Sequence, residues 1–294
     1  MTDTTDATDE AASHSIGYAL IFVAAVLWAL IGVMTKRLGE LDIDAAEVGT
    51  WRAVLGGVCF LVHVAVTRPR AADVGNNRVP LLAFALIGVT LFYTALPKAV
   101  EAGGITLAYV LMYTAPAWVA IGAVLVLHEK LHRPDVIAIA VTLFGALLVS
   151  VSGGTAITVD VTSVSWGLAA GLSYASYYLL GRRLFERLGG PLTYAICLPL
   201  GALVLLALVR PAAPPAEAWP WLLALGFMST YLPYLALAAG MTRVPSSRAV
   251  VVATSEPVLA AILGATLYDE RLGPVGLLGA ALVLISAVTV SQRR

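Results

Sequence analysis

The sequence predicts an all-α polytopic membrane protein, with ten transmembrane helices arranged as two inverted five-helix repeats. Three observations carry that expectation. Of the 294 residues, 60% are hydrophobic and only 12% charged, whereas soluble domains are usually about 45–50% apolar and about 25% charged. Polar punctuation divides the chain into ten apolar stretches, and a bilayer core about 30 Å thick needs about 20 such residues per helix. The second half of the chain repeats rare residues of the first at a constant offset of 141 positions.

The elements follow in order. Residues 1–15, "MTDTTDATDEAASHS", are small, polar and acidic, too poor in apolar surface to offset the entropy of ordering and without the basic region of a signal peptide. They read as a disordered cytoplasmic tail that is not cleaved. Spans are expected at 16–35, 45–66, 79–98, 103–127, 134–151, 164–182, 190–209, 218–240, 246–267 and 274–291. Helices are the economical way to cross, because each satisfies its own backbone hydrogen bonds. The breaks "EAGG" and "TRVPSS", after spans three and eight, are the shortest. The domain expectation is therefore a tail over 1–15, repeat one over 16–151, a linker over 152–163 and repeat two over 164–294.

Charge gives orientation and excludes one class of partner. With 18 basic and 18 acidic residues the net charge is zero, so no basic field is present to hold nucleic acid. A cytoplasmic N-terminus places twelve Lys and Arg residues on inside segments and five on outside ones, with Arg52 within a span. That excess puts both termini in the cytoplasm. Cys59 and Cys197 lie in apolar segments and read as buried free thiols.

Sliding the chain by 141 positions lays "YTALPKAVEAGGITLAYVLMYTAPAWVAIGAVLVLHEKL" on "YLALAAGMTRVPSSRAVVVATSEPVLAAILGATLYDERL" without a gap. Tyr93 meets Tyr234, Pro116 meets Pro257, Glu129 meets Glu270 and Leu131 meets Leu272. Alanines and valines match by chance in such helices; prolines and glutamates at fixed spacing do not. An odd number of spans per half gives the halves opposite orientation, an architecture of secondary transporters whose substrate site lies near the midplane.

These features, a tyrosine-bearing third span, a proline in the fourth and a closing "E-x-L" before the fifth, resemble the EamA-type drug/metabolite transporter superfamily over residues 16 to 291. "HEKL" at 128–131 and "DERL" at 269–272 are similar to the family's "GE-x-L" endings, with His128 and Asp269 in place of the usual glycine. "SEPVLAAILG" at 255–264 is similar to its "EP" stretch. The resemblance implies export or exchange of a small metabolite (an amino acid, amine or drug-like solute) through a central cavity of the cytoplasmic membrane.

Glu256 is the leading candidate site residue. An ionisable group deep in an apolar span is costly and faces a bundle interior or a wet cavity. Pro257 beside it has no N–H for the carbonyl of Ala253, so polarity concentrates at that depth. Glu256 is either a substrate-ammonium and proton-coupling site or a neutral acid bracing a kink; Pro116 and Pro257 are the expected helix kinks. Ala115 stands at the equivalent place in repeat one, so the site is asymmetric.

Arg52, seven residues into span two, either snorkels or pairs with Glu47, or serves as counter-charge in the cavity. Arg248 reads as an interfacial anchor. Trp28, Tyr93, Tyr109, Tyr113, Tyr174, Tyr177 and Tyr234 lie within spans, where a hydroxyl needs a partner. As a set they read as a polar-aromatic substrate-binding lining; singly, each is equally well a packing residue.

The stretch His128-Glu129-Lys130-Leu131-His132 satisfies H-E-x-x-H, the helical zinc site of metalloproteases. An intramembrane protease is thus the rival reading. It is disfavoured because Pro134 follows at a helix end and because the repeat keeps the glutamate without either histidine. No metal site and no cofactor are expected, and no Walker motif points to ATP. The expectation is a non-enzymatic carrier working by alternating access, proton-coupled through Glu256 or, alternatively, an uncoupled facilitator. Its expected partners are a small-molecule substrate and the lipid bilayer, without nucleic acid; assembly as a homodimer is left open.

Overall fold

Apolar runs that can satisfy their backbone only internally become helices, and a computed structural model shows them so over the residues it describes, 3–68, 74–152, 158–268 and 273–292. Helix α1 spans Asp3–Gly39, α2 Ala45–Thr67 and α3 residues 75–103; α4 consists of α4a, residues 105–112, and α4b, Ala115–Leu125. Helix α5 spans Arg133–Val151, α6 Val161–Leu188, α7 Gly190–Val209 and α8 Ala216–Met241. Helix α9 consists of α9a, Ser246–Ala253, and α9b, Glu256–Tyr268, and α10 spans Pro274–Ser291. The chain is a multi-pass membrane protein of two inverted five-helix repeats.

Local chemistry sets the ends. Asp44 accepts a hydrogen bond from Glu47 N at 2.8 Å and starts α2. Asp160 caps α6 by accepting from Ser163 N at 2.7 Å, which holds its carboxyl below the usual range. The "EAGG" break is a hairpin turned at Gly104, whose φ of 84° only glycine adopts freely. Helix α1 begins at Asp3.

Eight helices among the described residues are long and apolar enough to cross a bilayer on composition alone. The other two are α4, whose second part, Ala115–Leu125, has only 11 residues, and α6, because its serines, tyrosines and terminal arginines dilute its apolar count. The outward faces carry Leu61, Val62, Ile137, Phe144, Leu203, Leu277 and Ile285, each well exposed. In a soluble protein such a surface would aggregate; here it meets acyl chains.

The halves interleave instead of standing apart: α1 packs on α8, α3 on α6, α2 on α7 and α5 on α10. The Tyr93 and Tyr234 hydroxyls lie 3.0 Å apart at a separation of 141 residues. A residue can meet its own counterpart only at a two-fold axis, so this hydrogen bond marks the pseudo-symmetry axis. Helices α3 and α8 widen into π-helical turns just before these tyrosines, over Phe84–Leu91 and Phe227–Tyr231. Thr90 and Thr230 each bond a carbonyl five residues back, Ala85 O and Leu225 O. Such bulges recur at functional sites because they re-aim side chains.

At the other crossing, a Cβ on Gly279 would lie 2.6 Å from the Gly145 carbonyl oxygen. Helices α5 and α10 therefore meet backbone to backbone. Ser286 Oγ donates to Ala138 O at 2.8 Å and accepts from Thr142 Oγ1 at 2.8 Å. The membrane supplies no hydrophobic drive between helices, so close approach and such bonds hold them together.

Candidate functional site

The broken helices create the site. Tyr113 and Thr254, 141 apart, end α4a and α9a with closely similar backbone angles (φ −73°, ψ 7° and φ −69°, ψ 4°). After each break, a short turn starts the second half: Ala117 N and Trp118 N bond Thr114 O, as Val258 N and Leu259 N bond Ser255 O. Pro116 and Pro257 stand second in α4b and α9b. Proline costs little there, since the first helical N–H groups have no intrahelical partner. The expected kinks are thus full interruptions. Glu256 is not in the middle of a continuous helix but opens α9b, in the first turn, where the helix dipole favours an anion.

Around these breaks is a cavity of about 500 Å³. Trp28 and Gly32 of α1, Arg52 of α2, Phe92 and Leu96 of α3, and Thr106, Tyr109, Met112 and Tyr113 of α4a line it. The second repeat adds Tyr174 and Tyr177 of α6, Tyr234 of α8, and Glu256, Pro257 and Ala260 of α9. The cavity runs from the midplane toward the face opposite the N-terminus, where Ile105 and Ser150 reach it. Toward the N-terminal face its floor is aromatic and filled. Tyr234 donates to Tyr177 Oη at 3.0 Å and stacks on Tyr194 with centroids 4.8 Å apart. Tyr194 in turn touches Phe60, Phe84 and Phe185.

The expected aromatic set is therefore gathered in one place. Trp28 meets Tyr174 and Tyr234 edge-on at 6.3 and 6.0 Å, and Tyr109 and Tyr113 lie 6.0 Å apart. Tyr93 does not line the cavity; it stands behind Tyr234 as its hydrogen-bond partner. Pro116 is also away from the lining, the counterpart of a proline that reaches it. Phe92, Leu96 and Met112 were not among the expected residues. Phe92 had one legible signal, adjacency to Tyr93; leucine and methionine in an apolar span look the same whether they face lipid or a cavity.

Arg52 neither snorkels nor pairs with Glu47. It is 8% exposed, and its guanidinium donates to Ser229 O at 3.2 Å and Thr230 Oγ1 at 3.4 Å while lying 5.1 Å from the Tyr93 ring centroid. Glu47 instead accepts from Ala212 N at 2.9 Å. The π-turn of α8 explains this, since it presents the Ser229 carbonyl inward to the guanidinium. The Glu256 carboxylate has no hydrogen bond or ion pair with any described residue. A fixed cation and a carboxylate that has no hydrogen-bond partner among the described residues thus share an aromatic cavity.

The H-E-x-x-H stretch is not helical. His128 has φ 57°, His132 is the residue before α5, and Glu129 is bound elsewhere. The two histidines accordingly do not share one helical face, the arrangement that the zinc motif requires. Among the described residues no three His, Cys, Asp or Glu side chains cluster as a metal site. Glu270 and the rest of "DERL" at 269–272 lie outside the described residues. Arg248 donates to Asp135 at 3.1 Å and so ties α9a to α5.

Comparison with known proteins accords with this architecture. An uncharacterised transporter, YwfM of Bacillus subtilis, is 26% identical over 92% of both chains. The threonine/homoserine exporter RhtA of Escherichia coli is 29% identical over 87% of this chain and 84% of its own. A solved crystal structure superposes with a TM-score of 0.79 at 17% identity, covering 94% of this chain and 96% of that one, a likeness of fold. The profile of the EamA-like transporter family matches residues 15–151 and again 161–292, so two successive copies of one unit cover nearly all of the sequence, and the chain belongs to the EamA-like transporter family.

Proposed function

We propose that this protein exports or exchanges a small zwitterionic metabolite of amino-acid type across the cytoplasmic membrane by alternating access. The observation that carries the reading is the presence of both charges in the cavity: Glu256, without a hydrogen-bond partner among the described residues, and Arg52, both lining it. A solute bearing an ammonium and a carboxylate would meet both while its remaining atoms lie against Trp28, Phe92 and Tyr174. A cation alone would leave Arg52 uncompensated, and buried unpaired charge is strongly unfavourable. The similarity to RhtA, an exporter of threonine and homoserine, supports the same class of solute.

In this reading the repeats, 16–151 and 164–294, rock about the Tyr93–Tyr234 axis. The face at which the chain begins is the cytoplasmic one, as the excess of Lys and Arg on its loops supports. Glu256 exchanges its proton for the solute ammonium, which couples export to proton entry. Flux of labelled threonine, homoserine and their decarboxylated amines in proteoliposomes, with and without an imposed pH gradient, tests the proposal. Saturable zwitterion flux that responds to the gradient in wild type and not in Glu256→Gln is the expected result. Saturable flux indifferent to the gradient in wild type would replace coupling by an uncoupled facilitator; absence of saturable flux for every solute would overturn the reading.

A further inference from the structure

The glutamate of "HEKL" is not used by the cavity, yet it is among the most fully bonded side chains of the N-terminal face. Glu129 Oε1 accepts from Ser246 N at 2.8 Å, and Oε2 from Ser247 Oγ at 2.9 Å and Ser247 N at 3.3 Å. Glu129 belongs to repeat one and the two serines open α9a of repeat two, so a carboxylate of one half caps a helix of the other. The charge is matched twice. It sits at the positive end of α9a, and Arg182 of α6 brings Nη1 to 3.9 Å from Oε1. Arg182 Nη1 also donates to Val244 O in the turn before α9a, and Ser246 Oγ donates to Tyr178 O at 3.0 Å.

The backbone aims this group deliberately. After α4b the chain passes through His128 at φ 57°, and Glu129 N turns back to Ala123 O at 2.9 Å. That reversal fixes the carboxylate over the serines. The contacts join α4, α6 and α9a directly below the aromatic floor of the cavity, on the face that is closed. We infer that Glu129 is a gating residue, a carboxylate clasp that holds the N-terminal face shut and must release Ser246 and Ser247 for the cavity to reach that face. This inference rests on the proposed alternating access and adds the element that controls it.

The experiment reads both faces of the full-length protein in proteoliposomes, with Cys59 and Cys197 replaced by alanine. Val250→Cys, buried on α9a one turn beyond the clasp, reports opening of the N-terminal face; Ile105→Cys, at the other end of the cavity, reports the opposite face. Glu129→Ala is expected to raise thiol labelling of Val250→Cys at least several-fold and to lower that of Ile105→Cys. Glu129→Gln, which keeps one acceptor, is expected between the two. Labelling that rises at both positions would mean general loosening, and labelling unchanged at both would mean no gate; either overturns the inference. If Glu129→Ala does not fold, Ser247→Ala removes a single donor and carries the same reciprocal expectation at smaller amplitude. Wild-type protein without saturable flux would sink the carrier reading itself, whereas flux with clasp-independent labelling sinks only the clasp.

Discussion

Helices α4 and α9 are the same structure used twice with different chemistry. Both break at positions 141 apart, with matching dihedral angles and a proline second in the outgoing half. At the break, α4 carries Ala115, fully buried in packing, where α9 carries Glu256, which lines the cavity. At the start, α4a opens with Ile105 and Thr106 and α9a with Ser246 and Ser247 bound to Glu129. Ile105 is 54% exposed and Ser246 fully buried. The interruption is thus a property of the repeat, whereas charge and closure come from where the copies have diverged. On the proposed alternating access, a symmetric scaffold would supply the motion, and asymmetric residues selectivity and direction.

The largest effect is expected where the copies differ most. Glu256→Ala makes α9 like α4 at the break and removes the unpartnered carboxylate. Losing a charge-assisted bond worth about 1.5–3 kcal/mol predicts a fall in zwitterion flux of about tenfold or more, measured by proteoliposome exchange at fixed protein density. Because the side chain bonds to no described residue, the melting temperature should hold or rise. A large loss of stability with normal flux per folded molecule would return Glu256 to the role of structural brace.

Arg52→Met comes next, and it separates the two ends of the solute. Apparent affinity for a zwitterion should weaken by about tenfold, the usual scale for one bond to a charged group. The matching amine, which has no carboxylate to offer, should bind as before or better. Equal loss for both would show that the guanidinium acts only by holding Ser229 O and Thr230 in the π-turn.

Much of this comparison was open to reading from the sequence. Proline and glutamate are rare in apolar spans, so their recurrence at a fixed offset exposed the repeat, and Tyr, Trp and Glu within spans pointed to what surrounds the cavity. The limits were physical as well. Composition says which residues are polar but not which way a helix faces, so Leu96 and Met112 were indistinguishable from lipid-facing neighbours and Arg52 read first as a snorkelling or paired residue and only second as a cavity counter-charge. Nor does a sequence show that a proline marks a complete break, because Pro at a kink and Pro at the second position of a new helix have the same signature. The partner of Glu129 was hidden for another reason: it lies in the other repeat, more than a hundred residues away.

The contact of α5 with α10 sharpens the contrast between the parts that the proposed alternating access would move and those it would leave fixed. Gly279→Ala would set a Cβ 2.6 Å from the Gly145 carbonyl oxygen and 2.7 Å from Leu148 Cβ. Backbone cannot yield as a flexible side chain does. A loss of about 1–3 kcal/mol is expected, read as a lower melting temperature, with solute preference unchanged because neither glycine reaches the cavity. Changed preference at equal stability would show that this crossing belongs to the moving parts.

The smallest effect is expected at His128, and it tests the turn that aims the clasp. The "GE-x-L" ending that this stretch resembles has glycine where this chain has histidine, and φ at His128 is 57°, the left-handed region that favours glycine. An L-residue other than glycine pays about 1–2 kcal/mol there, and glycine recovers part of that against its larger entropy in the unfolded chain, about 0.5–1 kcal/mol. The His128 side chain is exposed and forms no hydrogen bond with a described residue, so nothing else is lost. His128→Gly should therefore raise the melting temperature by about 1–4 °C, with labelling at Val250→Cys unchanged because the reversal that carries Glu129 to Ser246 is kept. A lower melting temperature together with freer labelling at Val250→Cys would mean that the turn is held by the stiffness of the histidine and not by its dihedral preference, and that this repeat closes its face by a different balance from its copy.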